Sequence, residues 1–174
     1  MCSSDLGRHP VAVHHRLPAA RRGMGHVQVA GPVEKKRELP VEMGLGADRI
    51  GHGVAAIEDP ELQTYLGDRG IALEQCITSN YQTGSWADER NHPLGRLHRA
   101  GVPVTINSDD PSIQNATLTR DYLKAAEYFG FSIDDLVALN ELAIDAAFLT
   151  ESERRDLATR YRTAVQAFRT QHGG

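Results

Sequence analysis

Two adjacent carboxylates, Asp109 and Asp110, follow the apolar run Val102 to Ile106 in the segment Asn107-Ser108-Asp109-Asp110-Pro111. Neighbouring carboxylates raise each other's pKa and resist desolvation, and a divalent cation relieves both costs. Side chains next to one another on an extended backbone point to opposite sides, so one aspartate can face a metal while the other faces a substrate. An N-cap and turn is an equally open reading of Asp-Asp-Pro. His52 lies between Gly51 and Gly53, where a ligand has room to approach the ring, and histidine is the usual proton carrier near neutral pH. The alternative is a loop histidine satisfied by backbone groups. Thr78-Ser79-Asn80 and Thr83-Gly84 offer polar groups for a sugar or a base, although turns use the same residues. His92 and His98 read as structural or surface residues, Cys76 as a buried small hydrophobe and Trp86 as cover for a core edge.

Each candidate needs an element to hold it, and punctuation in the sequence marks those elements. Arg49-Ile50-Gly51-His52-Gly53-Val54 is apolar-centred and closed by glycine, as a buried strand entering a loop is. Asp59-Pro60-Glu61 supplies an N-cap, a proline at the first helical position and an acid in the first turn. The helix that follows has Leu62, Tyr65 and Leu66 on its apolar face and Gly70 as terminator. Ile71 to Ile77 reads as a second strand with Thr78-Ser79-Asn80 as a polar loop at its C-terminal end. A helix from Pro93 to Ala100, with Leu94 and Leu97 inward and Gly101 ending it, leads to a third strand, Val102 to Asn107. Alternating strands and helices are the rhythm of a parallel sheet or barrel with right-handed crossovers. In that architecture His52, Ser79, Asn80, Asp109 and Asp110 all fall at C-terminal strand ends, where reactive groups collect. The rest reads as helical: Leu118, Tyr122, Leu123 and Ala126 keep helical spacing. Ser132 with Asp135 and Thr150 with Glu153 form capping signatures, and Leu157, Tyr161, Val165 and Phe168 make one stripe.

Composition bounds the function. A net charge of -4, with no basic stretch interleaved with aromatics, gives no support to a nucleic-acid partner. No apolar run approaches the ~20 residues that cross a bilayer, and the start lacks the apolar core of a signal peptide, so a cytoplasmic protein without membrane partners is expected. Cys2 and Cys76 are too few for a disulfide framework or a zinc ribbon, which leaves any metal to histidine and carboxylate. Residues 1–46 show no sustained periodicity. Met1-Cys2-Ser3-Ser4-Asp5-Leu6 back-translates naturally to the end of a common sequencing adapter, so this segment is expected to be irregular, adapter-derived or misframed, with the alternative of a natural disordered basic tail.

The motifs Arg49-Ile50-Gly51-His52-Gly53, Leu73-Glu74-Gln75-Cys76-Ile77-Thr78-Ser79-Asn80-Tyr81-Gln82-Thr83-Gly84, His92-Pro93 and Thr105-Ile106-Asn107-Ser108-Asp109-Asp110-Pro111 resemble, in order and spacing, the adenosine deaminase family. The likeness runs from Ala47 to about Phe168 and includes Ala147-Phe148-Leu149-Thr150-Glu151. It implies that residues 47–174 form the C-terminal portion of a (β/α)8 TIM-type barrel: the last three strand-helix units and the C-terminal helices. It further implies zinc-dependent hydrolysis of the amino group of adenosine or deoxyadenosine by a metal-activated water. By the resemblance, His52 matches the catalytic histidine that orients and helps deprotonate that water. Asp109 matches a zinc ligand, and Asp110 matches the residue that hydrogen-bonds the purine ring.

Departures accompany the match. The family's His-x-His zinc pair has no counterpart, and where His-Ala-Gly-Glu is expected the chain reads Gly25-His26-Val27-Gln28-Val29-Ala30-Gly31-Pro32, without the glutamate. Zinc ligation is therefore not assigned to His26, and one surviving carboxylate cannot make a four-coordinate site. This chain alone is expected to be inactive and not to retain Zn2+. An adenine or aminodeoxyfutalosine deaminase, or a non-catalytic interaction partner, are the alternative readings.

Overall fold

The protein is described by a computed structural model that covers residues 46–173 and the backbone of His26–Val29. Four strands form one parallel sheet in the order β1 (His26–Val29), β2 (Arg49–His52), β3 (Ala72–Gln75) and β4 (Val104–Ile106). The three strands after residue 46 lie within the expected spans. The first strand falls inside the segment where no regular structure is expected, and it pairs with β2 in the register His26 to Arg49 through Val29 to His52. Four residues are too few to display a period in the sequence, and parallel pairing needs only free backbone groups along an edge.

The crossovers are short. After β2 the chain makes a 3-10 turn, Val54–Glu58, and enters α1 (Pro60–Arg69). Asp59 caps α1 by accepting the Leu62 amide at 2.9 Å, Pro60 stands in its first turn, and Gly70 closes it in the left-handed conformation, as its punctuation predicts. After β3 the sequence expectation fails. Thr78-Ser79-Asn80 is not a loop but part of helix α2 (Ile77–Gln82), which starts at once after the strand. Serine, threonine and asparagine are poor helix formers when exposed, but here their side chains are buried and occupied. A second 3-10 turn, Glu89–Asn91, precedes α3 (Leu94–Arg99), whose Leu94 and Leu97 have no exposure, as expected.

Beyond β4 come α4 (Pro111–Gln114), α5 (Leu118–Phe129), α6 (Ile133–Ala146) and α7 (Glu151–His172). Both capping boxes are formed, Ser132 with Asp135 and Thr150 with Glu153. The face that α5 buries is mixed: Ala125 joins the core with Tyr122 and Phe129 against it, Asp121 and Lys124 are buried beside them, and Leu123 is 65 % exposed. Buried charges are tolerated only when paired, and these are. Asp121 accepts from Thr78, and Lys124 donates to Thr78 at 2.7 Å and to Glu89. Burial pushes the Asp121 carboxyl up, against the opposing pull of Thr78 and Lys124. α6 lies against β4 and carries α7, whose expected stripe of Leu157, Tyr161 and Val165 is half-buried while Phe168 stays exposed. Arg154 donates to the carbonyls of Asp145, Ala147 and Leu149, closing the end of α6 in place of a glycine cap. Among the described residues no helix is long and apolar enough to cross a membrane.

One core of Ile50, Leu66, Leu73, Ile77, Leu94, Leu97, Val104 and Leu139 joins the sheet to the helices. α3 meets α5 at Gly95, where an added Cβ would lie 2.8 Å from the Cβ of Phe129. In Gly95→Ala, overpacking of about 1–3 kcal/mol outweighs a gain in helix propensity of at most ~1 kcal/mol. The variant is expected to unfold at a lower urea concentration and temperature than the parent.

Candidate active site

The C-terminal ends of β2, β3 and β4 bring His52, α2 and the Asp109 turn together. His52 is the last residue of β2 and takes a left-handed backbone, φ 59°, followed by Gly53 at φ 63°. Two such residues in succession turn the chain sharply out of the strand, and a Cβ at position 53 would come within 2.9 Å of Leu73. Gln75, at the end of β3, donates its side-chain amide to the His52 carbonyl. The residue thus sits buried at the strand end, 6 % exposed, with less room around its ring than the flanking glycines imply.

Asp109 follows β4 through Asn107, whose amide donates to the Gln75 carbonyl at 2.8 Å. Its φ of 55° is also left-handed, so the expected separation of Asp109 from Asp110 by an extended backbone does not hold; a turn divides them. Asp109 faces the strand ends, with Oδ2 3.7 Å from Nε2 of His52. Ser79 Oγ donates to that same Oδ2 at 2.6 Å, and Gln114 reaches it at 3.4 Å and Ser79 at 2.8 Å. All three of these contacts on the carboxylate fall on Oδ2, which leaves Oδ1 for another partner. Asp110 is exposed at the N-cap of α4, where its carbonyl, not its side chain, accepts from Ile113 and Gln114.

His52 Nδ1 lies 3.1 Å from Asn80 Nδ2, and Asn80 Oδ1 lies 3.1 Å from His92 Nε2. His92 Nδ1 in turn receives the Leu94 amide at 3.2 Å. All three side chains are buried, and the His92 ring has Trp86 and Phe129 beside it. Burial holds His92 down at about 3, with His52 and Arg96 adding to the effect. Cys76, just before α2, is buried as expected, and desolvation, aided by Asp109 and Asp121, pushes its thiol up and out of reactivity.

His52 and Asp109 therefore meet as read from the sequence, and Asp110 stands beside them at the surface. Ser79 and Asn80 do not present free groups to a sugar or a base; they are spent on Asp109 and His52. Reasoning from sequence missed His92, which is part of the network rather than merely structural, and Gln114. His92-Pro93 directly before a buried helix start was a usable signal for the first; nothing local marks the second. As a metal centre the described residues are incomplete: no group of three His, Cys, Asp or Glu side chains among them could hold an ion. His52 and Asp109 alone do not meet the four donors that zinc takes.

The adenosine deaminase family model matches residues 41–164. The chain belongs to the adenosine deaminase family. It is 42 % identical over 118 residues to an adenosine deaminase of Serratia proteamaculans, covering 68 % of this chain and 36 % of that protein. It is 49 % identical over 112 residues to an adenine deaminase of Rhizobium leguminosarum bv. trifolii, covering 64 % and 35 %. The chain thus spans about a third of the length of these deaminases. Among solved structures, the N6-mAMP deaminase of arabidopsis superposes with a TM-score of 0.66 at 28 % identity, over 75 % of this chain and 39 % of that one. A zinc-bound amidohydrolase from Burkhoderia ambifaria gives 0.67 at 23 %, over 75 % and 38 %. This deaminase segment is accordingly an incomplete (β/α) barrel with a partial parallel sheet.

A buried neutral His92 makes stability depend on pH in a defined direction. The unfolded chain takes up the proton near 6.5, the folded one only near 3, so this contribution is complete above about pH 6.5 and is lost as pH falls below it. The slope from one such group is about 1.4 kcal/mol per pH unit. Burial lowers His98 as well, which adds loss of the same sign. Urea midpoints are expected to fall between pH 7.5 and pH 5, and His92→Phe is expected to flatten that fall.

Proposed function

We propose that the complete enzyme containing this segment hydrolyses the exocyclic amino group of a 6-aminopurine, with adenosine or deoxyadenosine as substrate, releasing ammonia and inosine or deoxyinosine. The observation that carries the reading is the convergence of His52 Nε2 and Asp109 Oδ2 at 3.7 Å, with Ser79 bonded to the same carboxylate oxygen. His52 orients the attacking water at the ring carbon. Asp110, exposed at the head of α4, is free to hydrogen-bond the purine ring. Asp109 offers Oδ1 as one ligand to zinc in the complete barrel, in line with the zinc held by the Burkhoderia neighbour. Among the described residues no group of three His, Cys, Asp or Glu holds the ion, and the 174-residue chain assayed by itself is expected to release no ammonia.

Free adenine is the second reading, favoured by the 49 % identity to an adenine deaminase against 42 % to an adenosine deaminase. The two differ in whether a ribose must be accommodated. The full-length protein is assayed for ammonia release from adenosine, deoxyadenosine and adenine, and for methylamine release from N6-methyl-AMP. The expected result is a preference for the nucleosides, with Asp109→Ala and His52→Ala each lowering kcat/KM by about 10²–10⁴, the range for removing a positioned acid-base or charge-stabilising group. No ammonia from any of these substrates, or an undiminished rate in Asp109→Ala, overturns the proposal.

A further inference from the structure

We infer that His92 and Asn80 are positioning residues for His52, forming a relay from the Leu94 backbone amide that fixes the ring of His52 and places its proton on Nε2, toward Asp109. The significance of the relay rests on the role of His52 proposed above; its existence does not.

The direction of the relay follows from its one unambiguous donor. A backbone amide can only donate, so Leu94 N–H at 3.2 Å makes His92 Nδ1 an acceptor. A neutral imidazole has one N–H, and His92 must then carry it on Nε2. Burial, which holds this ring down at about 3, keeps it neutral near pH 7. The His92 Nε2–H needs an acceptor, and its partner at 3.1 Å is the oxygen of Asn80. With its oxygen committed to His92, Asn80 has only its NH2 to offer His52, at 3.1 Å from Nδ1. His52 Nδ1 is therefore an acceptor too, and the proton of the neutral ring lies on Nε2, the atom 3.7 Å from Asp109. Each member is at least nine-tenths buried, so water does not substitute for a missing partner.

Two chemical consequences follow for His52. A ring that receives a hydrogen bond at Nδ1 presents Nε2–H outward, so in its resting form it meets a water oxygen as a donor and orients it, instead of taking a proton from it. An N–H at Nδ1 would face the Asn80 NH2, so the alternative tautomer requires Asn80 to turn over and give up His92. His92 thus acts on the site through Asn80, across two hydrogen bonds.

The test reads the ring nitrogens directly. The full chain is labelled with 15N-histidine, and long-range 1H–15N correlation spectra are recorded in metal-free buffer near pH 7.5. Both His52 and His92 are expected to show an acceptor-type Nδ1 and a protonated Nε2. Asn80→Asp is nearly isosteric but can only accept, so it is expected to turn His52 Nδ1 into a protonated nitrogen while His92 keeps its pattern. His92→Phe removes the partner that fixes the Asn80 amide and is expected to move the His52 nitrogens toward averaged shifts. A protonated Nδ1 on His52 in the parent chain overturns the inference without any variant, as does an unchanged His52 pattern in folded Asn80→Asp. A full-length protein that releases no ammonia leaves these spectra unaffected, and the opposite tautomer leaves deamination standing, so the two readings fail separately.

Discussion

Three consecutive polar side chains, Thr78, Ser79 and Asn80, are almost wholly buried, and the arrangement around them follows from the need to satisfy each one. Thr78 looks toward α5 and meets Asp121 and Lys124. Ser79 meets Asp109 beyond β4, and Asn80 meets His52 at the end of β2. One short helix therefore holds three different parts of the chain through hydrogen bonds, while Ile77 anchors it in the apolar core. Leaving any of these groups unpaired in the interior costs about 1–3 kcal/mol, which gives the arrangement its rigidity as well as its location.

The strained backbone at the site is consistent with this. His52 and Asp109 are two of the three non-glycine residues with left-handed φ among the described residues. Conformations of that kind cost roughly 1–3 kcal/mol and persist where surrounding contacts over-determine them. At His52 those contacts are Gln75 on the carbonyl and Asn80 on the ring. At Asp109 they are Ser79 and Gln114. The left-handed turns bring both side chains back over the strand ends, where an extended continuation would carry them away from each other.

Much of this is legible in the sequence. Helix starts and stops carried by Asp59-Pro60, Gly70, Gly101, Ser132 and Thr150 depend on local chemistry, and they stand where their residue types require. His52 and Asp109 were legible because glycine neighbours and a carboxylate pair after an apolar strand are unusual in sequence. What sequence could not supply was the environment of intrinsically ambiguous residues. Thr-Ser-Asn reads as a loop because nothing in the tripeptide announces partners 28 to 43 positions away, and only burial turns it into a helix. The same holds for α5, where Asp121 and Lys124 lie inward and Leu123 outward. The apolar-face rule fails there in part: Ala125, Tyr122 and Phe129 still pack on the core, but two charges join them because they neutralise one another. His92 was misjudged for the same reason: a histidine beside a proline looks like surface until the asparagine that receives its proton is located.

The direct junction of β3 with α2 also bears on how the gene can change. Helical residues advance by about 100° each, so inserting or deleting a single codon between Gln75 and Asn80 would hand each of three side chains its neighbour's direction. His52, Asp109 and Asp121 would lose their partners in one event. The stretch from Thr83 to Asp88, exposed for most of its length, carries a lighter burden, chiefly Trp86 against His92 and the Asn80 carbonyl. Length variation among descendants of this sequence should therefore accumulate in that stretch, while the five residues after Gln75 stay fixed in number even where their identities drift.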